Sequence, residues 1–133
     1  MSKAILVVDD SQHVRLCLRS SLEHAGFTVC GEAENGKSAI EQALQLRPDL
    51  ILLDLAMPEM NGAEAASVLK HRFPNIPIII FTSHADDFGE DIRQALNVEK
   101  VVSKFAGMHA LMESINLVLG FSSSLTAFTA VVR

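Results

Sequence analysis

Cysteine, tryptophan, tyrosine and basic charge are all scarce in this chain. Of its 133 residues two are cysteine, Cys17 and Cys30, and none is tyrosine or tryptophan. The cysteines have no ligand-like spacing and read as a reduced pair of small buried residues. The five histidines, at 13, 24, 71, 84 and 109, are scattered and suggest no metal cluster. Eleven Lys and Arg stand against 16 Asp and Glu, a net charge of −5. That balance argues against nucleic acid as the main partner, because phosphate contacts need a basic face. The apolar runs are only a few residues long, so nothing spans a bilayer and no membrane insertion is expected. The opening "MSKAILVVDD" lacks a small-residue cleavage site and reads as a first strand rather than a secretion signal, which fits a cytoplasmic location.

The length suits one domain with a core large enough to need no disulfide staples. Short apolar runs alternate with helical patterns. Ala4–Val8, Phe27–Ala33, Leu50–Leu53, Ile76–Phe81 and Lys100–Val102 are the strand candidates, and continuous apolar runs suit strands buried on both faces. Between them, apolar residues recur at helical spacing: Val14, Leu18, Leu22 and Ala25; then Ala39, Ile40, Ala43 and Leu44, ended by Pro48; then Ala65, Val68 and Leu69, ended by Pro74. Ile92, Ala95 and Leu96 form a weaker fourth face. Met108, Leu111, Met112, Ile115, Val118 and Leu119 form the clearest fifth. Five strand–helix repeats predict an α/β, doubly wound parallel sheet with helices on both sides. The segment 121–133, Ser/Thr-rich and then apolar, breaks this rhythm. It reads equally as a linker stub, a partner-contacting segment or an expression artefact, so the domain is set at 1–120.

In open parallel sheets, ligands bind beyond the carboxyl ends of the strands. Asp9 and Asp10 follow the first candidate strand, Asp54 the third, Thr82 and Ser83 the fourth, and Ser103-Lys104 the fifth. The second ends in "GEAENG", whose Asn35-Gly36 looks like turn chemistry. Each close pair of carboxylates costs roughly 4 kcal/mol at 4 Å and an effective dielectric of 20. Three would not gather uncompensated, and a hard divalent cation with oxygen preference, magnesium, is the natural compensation. Lys104 adds a second positive charge, and the Thr82 hydroxyl can donate to a phosphoryl oxygen. The set is a kit for phosphoryl transfer, with Asp54 the candidate nucleophile. Singly, each residue has a plainer reading: Asp10-Ser11 as a helix cap, Asp54 as a turn residue, Lys104 as a surface lysine. The ordered combination at four strand ends favours the chemical one.

"LVVDD", "LILLDLAMPEMNG", "PIIIFTS" and "VVSK" resemble, in order and spacing from Lys3 to about Gly120, the receiver domain of two-component response regulators. The wording is closest to receivers that precede helix-turn-helix output domains. The resemblance implies a flavodoxin-like (βα)5 fold with strand order 2-1-3-4-5. It implies that Asp54 takes a phosphoryl group from a histidine kinase or phosphotransfer protein. Asp10, Asp54 and the backbone carbonyl of Ala56 are then the magnesium ligands, with Asp9 acting largely through a bound water, and Thr82 and Lys104 contact the phosphoryl oxygens. Ala56 and His84 flank the path of the hydrolytic water. Output is expected through the last helix-strand-helix face, by a downstream protein or by self-association, with Ile92, Val101 and Met108 as its apolar candidates. The chain departs from the family pattern twice. Phe105 stands where many receivers have proline, so a trans bond is expected. Val101 stands where many have a switch aromatic. Two other classes compete: a phosphorylation-independent, pseudo-receiver-like binding module, and a magnesium-dependent aspartyl phosphatase. The second is disfavoured because Asp9-Asp10 is not a D-x-D motif and no substrate cap is present.

Overall fold

A computed structural model describes residues 2–57, 61–83 and 85–121, apart from the side chains of 86–89 and 92. Pro58, His84, the Ile92 side chain and residues 122–133, all invoked from sequence, lie outside the described residues. Strands and helices alternate in the order β1 (Ala4–Val8), α1 (Gln12–His24), β2 (Thr28–Ala33), α2 (Gly36–Leu46), β3 (Leu50–Leu53), α3 (Gly62–Arg72), β4 (Ile78–Thr82), α4 (Ala85–Leu96), β5 (Lys100–Ser103) and α5 (Gly107–Val118). All strand pairings are parallel, and the sheet order is β2-β1-β3-β4-β5. This is the flavodoxin-like order that the family resemblance implies.

The strands are apolar throughout because the pleat sends alternate side chains into two different cores. Leu6, Val8, Ile51, Leu53, Ile78 and Ile80 face one side, where they meet Ala39 and Ala43 of α2 and Ala65, Ala66 and Leu69 of α3. Ile5, Val7, Leu50, Leu52, Ile79 and Phe81 face the other, against Leu18 and Leu22 of α1 and Leu111 and Ile115 of α5. Filling either side with a polar residue would strand an unpaired group in a dry layer.

Helix starts are fixed by side-chain caps. Ser11 Oγ accepts the Val14 amide at 3.2 Å, Asn35 Oδ1 that of Ser38 at 2.8 Å, and Asn61 Oδ1 that of Glu64 at 2.9 Å. Asn35-Gly36 is therefore a cap and a first helical residue, and the turn reading of that pair is corrected. Prolines end two helices: the residue before proline is pushed out of the helical region. Arg47, before Pro48, is left-handed (φ 47°), and Phe73, before Pro74, leaves the helical region (φ −131°, ψ 67°). The fourth strand begins at Ile78 rather than Ile76, after Pro77, whose carbonyl still accepts the Ile51 amide.

The cysteines correct a second expectation. Both are free, but Cys17 is exposed and Cys30 only half-buried. Cys17 precedes the buried Leu18 on α1, so it falls off the core-facing stripe. At the C-terminal end, Phe121 stacks on Phe27 with ring centroids 6.2 Å apart. No described helix is long and apolar enough to cross a membrane.

Candidate functional site

Strand register assembles the site. Val8 pairs with Leu53 and Leu53 with Ile80, so the residues that follow emerge side by side at the carboxyl edge. The Asp54 amide donates to Val8 O at 3.0 Å, and the Asp9 amide to Ala33 O at 3.0 Å. Thr82 ends β4 opposite Ser103 of β5, and Lys104 opens a short 3-10 turn, Lys104–Ala106.

Asp9, Asp54 and Thr82 are the buried polar residues of the described chain. Asp10 is exposed at the rim. Carboxylate oxygens of Asp9, Asp10 and Asp54 all lie within 4.8 Å of one another. Lys104 Nζ sits 2.8 Å from Asp9 Oδ2 and 3.6 Å from Asp54 Oδ1. Asp9 Oδ1 accepts the Ser11 amide at 2.9 Å. Burial pushes the Asp54 carboxyl above its ordinary range, and the Asp9 charge adds to it; Lys104 and the Ala56 backbone N–H oppose the shift. Three acids and one lysine leave negative charge in excess. Hard oxygen donors in that number and sign fit a divalent cation of the magnesium class.

The structure thus brings Asp9, Asp10, Asp54 and Lys104 into contact range and sets Thr82 and Ala56 beside them in the chain path. Ser11, not Asp10, caps α1. The peptide bond before Phe105 is trans, as expected, and Phe105 is 80% exposed. Val101 is half-buried and packs against the α2–α3 side of the core. Two residues support this edge: Gly62, which belongs to the quoted motif, and Arg15, which escaped the sequence reading. Gly62 packs so tightly under the Asp54–Leu55 backbone that a Cβ there would overlap the Asp54 carbonyl and approach Leu55 Cα to 2.6 Å. Its signal was visible as a glycine directly after a cap asparagine. Arg15 reaches back from α1 to the Asp9 carbonyl, and no motif marks it.

A buried aspartate beside a lysine and two further acids thus stands at the carboxyl edge of a flavodoxin-like α/β domain with sheet order 2-1-3-4-5. Residues 5–116 match the response regulator receiver domain, and the chain belongs to that family. It is 40% identical over 119 residues to a protein-glutamate methylesterase/protein-glutamine glutaminase of Alkalilimnicola ehrlichii, covering 86% of this chain but 30% of that protein. It is 41% identical over 80 residues to the chemotaxis protein CheY of Thermotoga maritima, covering 60% of this chain and 67% of that one. The crystal structure of the response regulator domain of Thermotoga maritima CheB superposes with a TM-score of 0.82 at 25% identity, covering 92% of this chain and all of that one. The methylesterase match therefore spans under a third of that relative's length.

Proposed function

We propose that this receiver domain is a magnesium-dependent phosphoacceptor switch, phosphorylated on Asp54 by the phosphohistidine of a histidine kinase or phosphotransfer protein. The observation that carries the reading is the buried Asp54 carboxylate, 3.6 Å from Lys104 and within 4.8 Å of the oxygens of Asp9 and Asp10. In the transfer an Asp54 oxygen bonds to phosphorus as the N–P bond breaks, and the electron pair leaves on the imidazole, which takes a proton from solvent. Asp54 must be ionised to attack; burial and the Asp9 charge oppose that form in the metal-free site, and Lys104 with a bound cation would favour it. Lys104, held by Asp9, is poised to transfer its charge to a phosphoryl oxygen, and the Thr82 hydroxyl is a second donor. Asp9, Asp10, Asp54 and the Ala56 carbonyl would hold the magnesium ion, which neutralises charge on the phosphoryl oxygens.

Residues 1–120 form the receiver unit in this reading, and the domain acts on itself rather than turning over a substrate. The esterase activity of the methylesterase relative lies outside the matched length and is not carried over. A cytoplasmic location follows from the proposed phosphodonor. Output is assigned to the face of α4, β5 and α5. A cleft of about 420 Å³ lined by Glu90, Arg93, Glu99, Lys100 and Val101 opens there, and its mixed charges suit a protein partner or a second copy. One observation favours the binding-module alternative. Val101 is fixed against the core and cannot report phosphorylation as a swinging aromatic would.

Incubation with magnesium and acetyl phosphate tests the reading. Intact-mass measurement should show one added phosphoryl group, lost when EDTA replaces magnesium. An unmodified protein in both arms would reject phosphoacceptor function and favour the binding module.

A further inference from the structure

Asp9 is held at every polar atom. Its amide donates to Ala33 O, its Oδ1 accepts the Ser11 amide, and its Oδ2 accepts Lys104. Its carbonyl accepts Arg15 Nη1 at 2.7 Å. The same guanidinium donates from Nε to Glu32 Oε1 at 3.0 Å. Glu32 lies on β2, where it pairs with Val7 two residues before Asp9. Its other oxygen accepts Arg19 Nε at 2.8 Å, and its carbonyl accepts Gln42 Nε2 from α2 at 2.6 Å. The Arg15 side chain is only 14% exposed, so its contacts are shielded far more than an ordinary surface pair.

We propose that Arg15 is a positioning residue for the metal edge: anchored by Glu32, its guanidinium fixes the Asp9 carbonyl and with it the direction in which Asp9 and Asp10 present their carboxylates. The proposal deepens the phosphoacceptor reading and rests on its metal site. The planar fork matters. Arg15 spans an acid on β2 and a main-chain carbonyl at the β1 end with two nitrogens of one rigid group, which a lysine ammonium cannot reproduce. Without it, the Asp9 carbonyl would lose this donor, and the peptide that carries Asp10 would be held only through the amide and carboxylate of Asp9. Arg19 provides the internal control. It grips the same Glu32, and its other partner among the described residues is Glu23 on the surface of α1 rather than any atom of the acidic edge.

The test is magnesium affinity, measured by titration calorimetry on Arg15→Ala, Arg15→Lys and Arg19→Ala, with circular dichroism melts run in parallel. Arg15→Ala should weaken magnesium binding about tenfold, the low end of what losing a supporting contact costs a metal site. Arg15→Lys should recover little of it despite keeping the charge. Arg19→Ala should stay within about twofold of wild type, even if its melting temperature falls as far as that of Arg15→Ala. If Arg15→Ala proves too unstable to titrate, Arg15→Lys carries the comparison alone. Wild-type affinity in either Arg15 variant, or equal losses in Arg15 and Arg19 variants, would overturn the proposal. Because the readout is metal binding, it stands apart from phosphorylation: a wild-type protein that binds magnesium but never forms an acyl phosphate defeats the functional reading and leaves this one standing.

Discussion

Replacing Asp54 with Asn takes a buried anion out of a crowded acidic edge, and without magnesium that should stabilise the fold. At the 4.8 Å limit that bounds the acidic oxygens, the Asp9–Asp54 pair costs about 3.5 kcal/mol at an effective dielectric of 20. Lys104, 3.6 Å from Asp54, returns about 4.6 kcal/mol on the same basis. Asp10 is exposed, and solvent screens most of its share. The two buried Coulomb effects nearly cancel, so desolvation of the Asp54 anion decides the sign. Burial is the largest cause of its raised pKa, which says that the folded state disfavours the charge. Asp54→Asn should gain about 1–2 kcal/mol near neutral pH, the low end of what neutralising buried charges yields. That corresponds to a rise of about 3–10 °C in melting temperature. Circular dichroism is the suitable probe, since the chain has no tryptophan.

The pH dependence has a definite sign. A carboxyl whose folded pKa lies above its unfolded one contributes stability below the unfolded value and loses it as pH rises through the folded value. The advantage of Asp54→Asn is therefore complete above the raised pKa and shrinks as pH falls into the ordinary carboxylate range. Magnesium should narrow the gap by stabilising the wild type. A less stable Asp54→Asn protein in EDTA, or a gain that ignores pH, would refute the reasoning.

Three other outcomes follow from the same geometry. Gly62→Ala should cost about 1–3 kcal/mol, as overpacking does, because its Cβ has no room under the Asp54–Leu55 backbone; a melt unchanged from wild type would contradict that packing. Asp10→Asn should bind magnesium well below wild-type affinity by calorimetry, and equal affinity would remove Asp10 from the site. Beryllofluoride with magnesium should change sedimentation or slow amide exchange between residues 82 and 110, with coupling at the low end of the usual ~1–3 kcal/mol; an identical monomer with identical exchange would remove the α4–β5–α5 face as the output.

The sheet was legible because its strands are continuous Ile, Val and Leu runs, a pattern that survives without tertiary context. The acids were legible because parallel strands must end at a common edge, so Asp9, Asp10, Asp54, Thr82 and Lys104 could be placed together from their order alone. What stayed hidden depends on three-dimensional reach. Whether Cys17 lies on or beside the core stripe turns on one helical position. Asn35 is equally a turn former and a helix cap, and only the Ser38 amide, three residues on, separates the two. Arg15 looks like any polar residue of an amphipathic helix until β2 brings Glu32 alongside it. The lysine pairing was half legible: Lys104 could be sent to the acidic edge, but its preference for Asp9 over Asp54 is set by distances of 2.8 and 3.6 Å.

The central claim is that Asp54, among the acids of this edge, is the nucleophile. Borohydride reduces an aspartyl phosphate to homoserine and so marks the phosphorylated residue permanently. After treatment with magnesium and acetyl phosphate, reduction and trypsin digestion, the peptide containing Asp54 should carry a single homoserine at position 54, and the Asp54→Asn protein should carry none. Homoserine at Asp9 or Asp10 in the wild type, or undiminished labelling of Asp54→Asn, would contradict the account.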